Sequence, residues 1–533
     1  MSGSRRPDHL KFDDDDDNIS VYNRSQNLSN GLDTITTFGK TNWKNIIIIA
    51  FIAFTSIVPE STITPIEWAY LQISDSKVDE AFYGYLTSAN ALGQVISSTT
   101  SGFISNHIQQ VKAPMIFGYF IIFISCGIYL SLEFISDNRR FVFLLFEFTI
   151  GIATGCIRMY RVHIAMAAND KDKPKAFAIV SIATVVALII GPLIQYIIAF
   201  VFKYPGVSVI GNLHLNIFTV PGYLILFFSI IAILILTLFF SSKDTMKNSE
   251  AIIINKKINE IQMEDLDDIS IGNGHSLYDT LRKKKEIAKK QIRLDYLAIM
   301  TCFIIKLAVT TTAILLRTTM IPYIQTVFAF NAKQLVKYTT FIQISIAILS
   351  LICYLSYIFF KINEKLKEKV VIIIGLSLYI LFYLVTYPWN FYSYTIRDNL
   401  DKNMEIDSRI NFNATDICRY SWCSTTLSIN GWVIFPAIII VIGIASPLIL
   451  INLEVLYSKL LKTVKQGTMQ GLFMSLGDLL SIFCPIFYNN LYEMSGPKTI
   501  WIIQLFINIF TLLIILLLYN RLSPIVSIIT TKK

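Results

Sequence analysis

The run Phe227-Phe228-Ser229-Ile230-Ile231-Ala232-Ile233-Leu234-Ile235-Leu236 carries no charge and lies inside a longer apolar stretch, 217–240. A helix of that length reaches across the roughly 30 Å of a bilayer's hydrocarbon at about 1.5 Å per residue. The next segment is opposite in character. From Ser241 to Arg293 both charges are dense, with the run Arg282-Lys283-Lys284-Lys285, and then apolar sequence resumes. Five comparable stretches precede this point, near 44–68, 81–105, 113–132, 141–166 and 175–202. Six more lie beyond it, near 295–320, 335–360, 369–387, 431–456, 466–490 and 498–520. The pattern predicts an all-α polytopic membrane protein of twelve transmembrane helices. Two six-helix bundles, 44–240 and 294–522, are joined by a charged linker over 241–293, with tails at 1–43 and 523–533.

Composition agrees. Hydrophobic residues make up 54% of the 533 and charged residues 16%, against about 25% charged in soluble proteins. Mean hydropathy is +0.56. These values exclude a soluble enzyme, a nucleic-acid-binding module and a disulfide-rich secreted domain. The net charge of +9 fits cytoplasmic loops rich in Lys and Arg, so no nucleic-acid partner is expected and the lipid bilayer is. The first 43 residues, with Asp13 to Asp17, cannot bury a core and read as a disordered tail. They hold no apolar segment of the signal-peptide kind, which leaves the first helix as the uncleaved membrane signal. Placing both termini in the cytoplasm puts about 31 of the 46 Lys and Arg inside and about 11 outside, as the positive-inside rule requires.

In that topology the loop Pro388 to Asn430 is external, where glycosylation and disulfides are permitted. It contains the acceptor Asn413-Ala414-Thr415 and the pair Cys418 and Cys423, read as a disulfide, with two free thiols as the alternative. The other five cysteines lie in apolar stretches and are expected to pack as small hydrophobes. Acceptor triplets at Asn18, Asn23 and Asn27 should stay unmodified on a cytoplasmic tail.

Ionisable side chains in a bilayer usually face the bundle interior, a partner or water. Glu147, Arg158 and Arg161 fall within about a 60° arc of the fourth helix at 100° per residue, with Gly151 and Gly155 on the same stripe. They predict a solute path with an anion-attracting arginine pair, or, alternatively, structural pairing with neighbours. His163 points elsewhere and reads as structural. Lys306 and Arg317 share a face of the seventh helix, and Asp478 sits mid-way along the eleventh, where an Arg317–Asp478 pair is one way to neutralise both. Glu60 and Glu67, on a first helix interrupted by Pro59 and Pro65, can take a proton or cation coupled to transport, unless Glu67 already lies at the outer water. Gly191-Pro192 in the fifth helix and Cys484-Pro485 in the eleventh are expected helix breaks at corresponding places of the two halves.

No P-loop, His-Glu-x-x-His, serine elbow or ligand cluster occurs, so neither catalysis nor a cofactor is expected. Beyond the helix pattern, several motifs stand out: Trp68-Ala69-Tyr70-Leu71-Gln72, Ala91-Leu92-Gly93-Gln94, Gly102-Phe103-Ile104-Ser105-Asn106, Gly151-Ile152-Ala153-Thr154-Gly155 before Arg161, Leu456-Tyr457-Ser458-Lys459-Leu460 and Gln466-Gly467-Thr468-Met469-Gln470-Gly471. Together they resemble the major facilitator superfamily, and within it a branch of lysosomal membrane proteins. The resemblance implies alternating access between the bundles, residence in late endosomes or lysosomes (the plasma membrane is the alternative), and chloride conduction as a second activity. It also implies that Arg161 is the family's fourth-helix arginine. Arg158 has no counterpart in that pattern, Asn106 stands where Asp is usual, and Glu147 stands where many members have arginine. Arg317 stands in place of Glu and Ser481 in place of an arginine, as a charge exchange between the seventh and eleventh helices would leave them.

The functional expectation is a secondary carrier of a small anionic solute. A chloride-conducting channel or a non-transporting scaffold or receptor are the alternatives. Tyr278-Asp279-Thr280-Leu281 in the linker fits the pattern read by endosomal sorting adaptors.

Overall fold

The computed structural model describes residues 41–75, 78, 80–135, 137–202, 206–210, 213–241, 295–328, 332–360, 362–390, 394–398, 420–461 and 466–522. Residues 1–42 form a separate unit, of which only Thr41 and Asn42 are described. The first bundle comprises α1 (Trp43–Ser74), α2 (Glu80–Ile108), α3 (Lys112–Ser131), α4 (Arg139–Ala167), α5 (Lys173–Val201) and α6 (Thr219–Leu238). A small antiparallel hairpin, β1 (Val207–Ile210) and β2 (Leu213–Leu215), connects α5 to α6. The second bundle comprises α7 (Tyr296–Phe328), α8 (Ala332–Phe359), α9 (Glu368–Val385), α10 (Gly431–Leu461), α11 (466–495) and α12 (497–517).

By length and apolarity alone, ten helices qualify as membrane spans. Adding α2 and dividing the last one gives twelve. α2 falls short because its Asn90, Gln94, Ser97, Ser98 and Ser101 turn toward neighbouring helices instead of lipid; Gln94 and the three serines are buried. Its exposed Thr99 and Thr100 return their hydroxyls to the carbonyls of Val95 and Ile96, so neither hydroxyl is left bare. The stretch Gln466 to Leu517 is two helices that abut at a kink, where Gly496 has φ 68° and reverses the chain between α11 and α12.

Each bundle has its own apolar core, one gathered around Tyr119, Tyr129 and Phe143, the other around Tyr379, Tyr457 and Trp501. Large side chains on the outer faces, such as Phe200, Leu238, Phe506 and Leu517, are exposed. A membrane, not water, is the solvent these faces fit.

Three expectations need correction. α1 continues through Pro59 and Pro65, α5 through Gly191-Pro192, and α11 through Pro485. Neighbouring helices tolerate a proline where they supply polar partners; the Ser61 hydroxyl of α1 donates to the Ala187 carbonyl one turn before Pro192, at 3.1 Å. Gly191 itself is a contact site, because a Cβ there would collide with the Ser61 hydroxyl. The irregularities occur elsewhere: α4 is interrupted by a turn at Arg158 and Met159, and α10 contains a π-helical turn, Val441–Ala445.

In the loop between α9 and α10, Cys423 is disulfide-bonded; its expected partner Cys418 and the acceptor Asn413 lie outside the described residues, as does Tyr278–Leu281. Next to Cys423, Trp422 stacks on Tyr420, with ring centroids 5.2 Å apart, and packs edge-on against Tyr492 of α11. The Trp422 ring fills the space a Cβ on Gly496 would need, at 2.6 Å.

Candidate solute path

Helix directions alternate, so α1, α3, α5, α7, α9 and α11 start at one end of the molecule, the end where α6 stops and α7 begins. At this linker end the two bundles meet along α2 and α11, which small residues bring into backbone contact. A Cβ on Gly102 would lie 2.6 Å from the Gly467 carbonyl oxygen, and one on Gly471 would lie 2.5 Å from that of Ser98.

Beside this seam two ion pairs join the bundles. Arg158 donates to Asp478 Oδ1 at 2.7 Å, and Ser98 donates to Oδ2 of the same carboxylate at 3.3 Å. Arg161 pairs with Glu454 of α10, and Ser458, one turn on, donates to the Ala165 carbonyl at 3.1 Å. An unpartnered charge mid-helix in a bilayer costs about 2.5–3.5 kcal/mol on insertion scales. Here every arginine of α4's second half has a carboxylate on the other bundle, and the linker end is held closed.

The expected roles change accordingly. Arg158 and Arg161 are engaged by carboxylates and do not present a free cationic pair. Asp478 pairs with Arg158, not Arg317. Asp478 lies twelve residues into α11 and Arg317 twenty-one residues into α7 from the same end, a depth difference of roughly 14 Å at 1.5 Å per residue. The expected charge exchange between these helices therefore does not join those two residues. His163, read as structural, is buried edge-on to Phe240, centroids 4.8 Å apart.

Glu147 belongs to a second cluster nearer the far end of the first bundle. It is a close neighbour of Glu67 of α1, accepts from Asn90 Nδ2 at 2.8 Å, and Asn90 in turn accepts from Gln94 at 2.6 Å. Tyr83 donates to Glu67 at 3.4 Å. Glu67 is buried, so it does not sit in outer water. Gly151 and Gly155 make this packing possible by admitting Asn90 and Ser97 of α2. Glu60, two turns before Glu67, is exposed, and its charge acts on both Glu67 and Arg158.

The second bundle faces this acidic cluster with cations. Arg317 is exposed and within electrostatic reach of Tyr83. Lys306 lies over the Phe473 ring at 5.4 Å and beside Gly477. Among the described residues neither has a hydrogen bond or a carboxylate partner. No group of described His, Cys, Asp and Glu side chains could hold a metal ion.

Sequence reading missed Glu454, although an acid inside the apolar run Ile449 to Leu461 is the same signal that marked Asp478. It missed Tyr83, Asn90, Gln94 and Ser98 as well, whose neutral side chains carry no cost that singles them out.

A family model described as Major Facilitator Superfamily matches residues 48–396. The chain is 23% identical over 539 residues to major facilitator superfamily domain-containing protein 8 of Xenopus laevis, covering 96% of this chain and 98% of that one. Among solved structures, the human organic anion transporter MFSD10 (TETRAN) aligns with TM-score 0.54 at 11% identity, over 88% of this chain and 98% of that one. The proton:xylose symporter XylE aligns with TM-score 0.58 at 12% identity, over 89% and 96%. With twelve helices in two bundles and a closed seam between α2 and α11, the chain is a membrane transporter, not an enzyme, and belongs to the Major Facilitator Superfamily.

Proposed function

We propose that the chain is a proton-coupled secondary carrier of a small organic anion, working by alternating access, in late endosomal or lysosomal membranes with both termini cytoplasmic. One observation carries this: the neighbouring carboxyl groups Glu67 and Glu147 of the first bundle are joined through Tyr83, which donates to Glu67, to the reach of Arg317, a cation with no carboxylate of its own among the described residues. The carboxyl pair supplies a proton site and Arg317 an anion site, with Tyr83 between them to link their occupancies. Lys306 is a second cation deeper along the same helix. The ion pairs of Arg158 and Arg161 hold the linker end shut while solute enters from the far end.

The likeness to domain-containing protein 8 supports the compartment, and the organic anion transporter MFSD10 and the proton:xylose symporter XylE are precedents for the two halves of the activity. A chloride-conducting pore through the same cavity is the second reading, favoured by the same uncompensated cations. Purified protein in liposomes tests both. Saturable uptake of organic anions that follows an imposed pH gradient supports the carrier; chloride currents far above carrier turnover, indifferent to that gradient, reject it.

A further inference from the structure

Asp478 has one cationic partner on the opposite bundle and a second cation waiting on its own. Arg158 holds it now, at 2.7 Å. Lys306 enters from α7, its Cε 3.3 Å and its Nζ 3.9 Å from where a Cβ on Gly477, the residue before Asp478, would stand. Lys306 and Asp478 lie ten and twelve residues into their helices from the same end, roughly 15 and 18 Å deep, and the charges acting on Lys306 are those of Arg161, Asp478 and Arg158.

When the linker end opens, the bundles separate and the Arg158–Asp478 bond must break. Left alone, each charge would face the interior without a counterion, and breaking a buried pair in that way is strongly unfavourable. We infer that the carboxylate is handed over instead: Asp478 passes from Arg158 to Lys306 within the second bundle. Arg161 and Glu454 need no such substitute, because they lie nearer the linker end, where opening admits water. Lys306 is thus a positioning residue for the conformational change, and the absence of a carboxylate on it among the described residues in the closed state is what keeps it ready.

The inference rests on alternating access as proposed above, and one experiment separates the two. Spin labels on Lys171→Cys and Lys365→Cys, exposed at the linker end of the two bundles, report closed and open forms of the full chain in lipid nanodiscs by their distance distribution. The hand-over predicts that Lys306→Gln lowers the open-to-closed ratio about tenfold, that Lys306→Arg retains the ratio, and that the Lys306→Gln shift shrinks in an Asp478→Asn background. An unchanged or raised ratio in Lys306→Gln overturns it. Equal shifts in the two backgrounds also overturn it, because Lys306 then acts only by repelling Arg158 and Arg161. A parent protein fixed at a single distance under every condition sinks alternating access itself.

Discussion

Arg158 and Asp478 lie 320 residues apart in the chain and form a 2.7 Å charge-assisted bond between the bundles. The bond connects the two halves at a depth where neither charge is tolerated alone. Closing the linker end is therefore coupled to charge neutralisation, and the transport cycle to electrostatics as well as packing.

Removing one side of this pair should open the linker end. Truncating one member of a buried pair costs about 3–5 kcal/mol, less where a side chain is partly hydrated, as Arg158 is. Arg158→Ala and Asp478→Asn should each raise the open fraction in spin-label distances, and the double charge swap Arg158→Asp with Asp478→Arg should return it toward the parent. A swap no better than the single variants would show that this contact does not set the balance.

Adding a methyl group at the seam should act in the same direction by a different force. Gly471→Ala places a Cβ 2.5 Å from the Ser98 carbonyl oxygen, and overpacking of this kind costs about 1–3 kcal/mol. The closed form bears that cost alone, so accessibility of the seam to an impermeant thiol reagent, read at Asn106→Cys, should increase. Thermal stability of the open form should change little.

Glu67→Gln and Glu147→Gln should uncouple the carrier from protons. Either amide can still hydrogen-bond its neighbour, so expression and folding should persist. Uptake driven by a pH gradient should fall by an order of magnitude or more, whereas exchange of solute for solute should survive. Normal gradient-driven uptake in both variants would remove the proton role from this pair.

Arg317→Gln should raise the KM for an anionic solute with a smaller effect on kcat, as expected for loss of binding shared by ground and transition states. Arg317→Lys should recover part of the affinity, since the charge returns but not the planar fork of donors. If neutral and anionic solutes were affected alike, Arg317 would not be the anion's contact.

The helices are legible because a bilayer imposes a length and an apolarity that composition reveals directly; even α2, too polar for a hydropathy threshold, is placed over 81–105 by its position between two clear neighbours. Positions of charges are legible for the same reason: Glu67, Glu147, Arg158, Arg161, Lys306 and Asp478 are the charges around which the contacts between helices gather. Their partnerships are not. The angle on one helix groups Glu147 with Arg158 and Arg161, but the turn at Arg158 and Met159, together with eleven residues of rise, sends them to different ends. Pairing across bundles depends on which helices touch, and nothing local to α4 or α11 encodes that. Prolines mislead for a related reason, since their effect on a membrane helix is decided by neighbours such as Ser61.

Trp422 fills the space beside Gly496, next to a cysteine held in a disulfide. The segment before α10 is thereby riveted to the elbow between α11 and α12, and that corner of the second bundle is expected to travel as a single solid block. Reducing the disulfide should loosen this block while the α2–α11 contact at the opposite extremity keeps its packing.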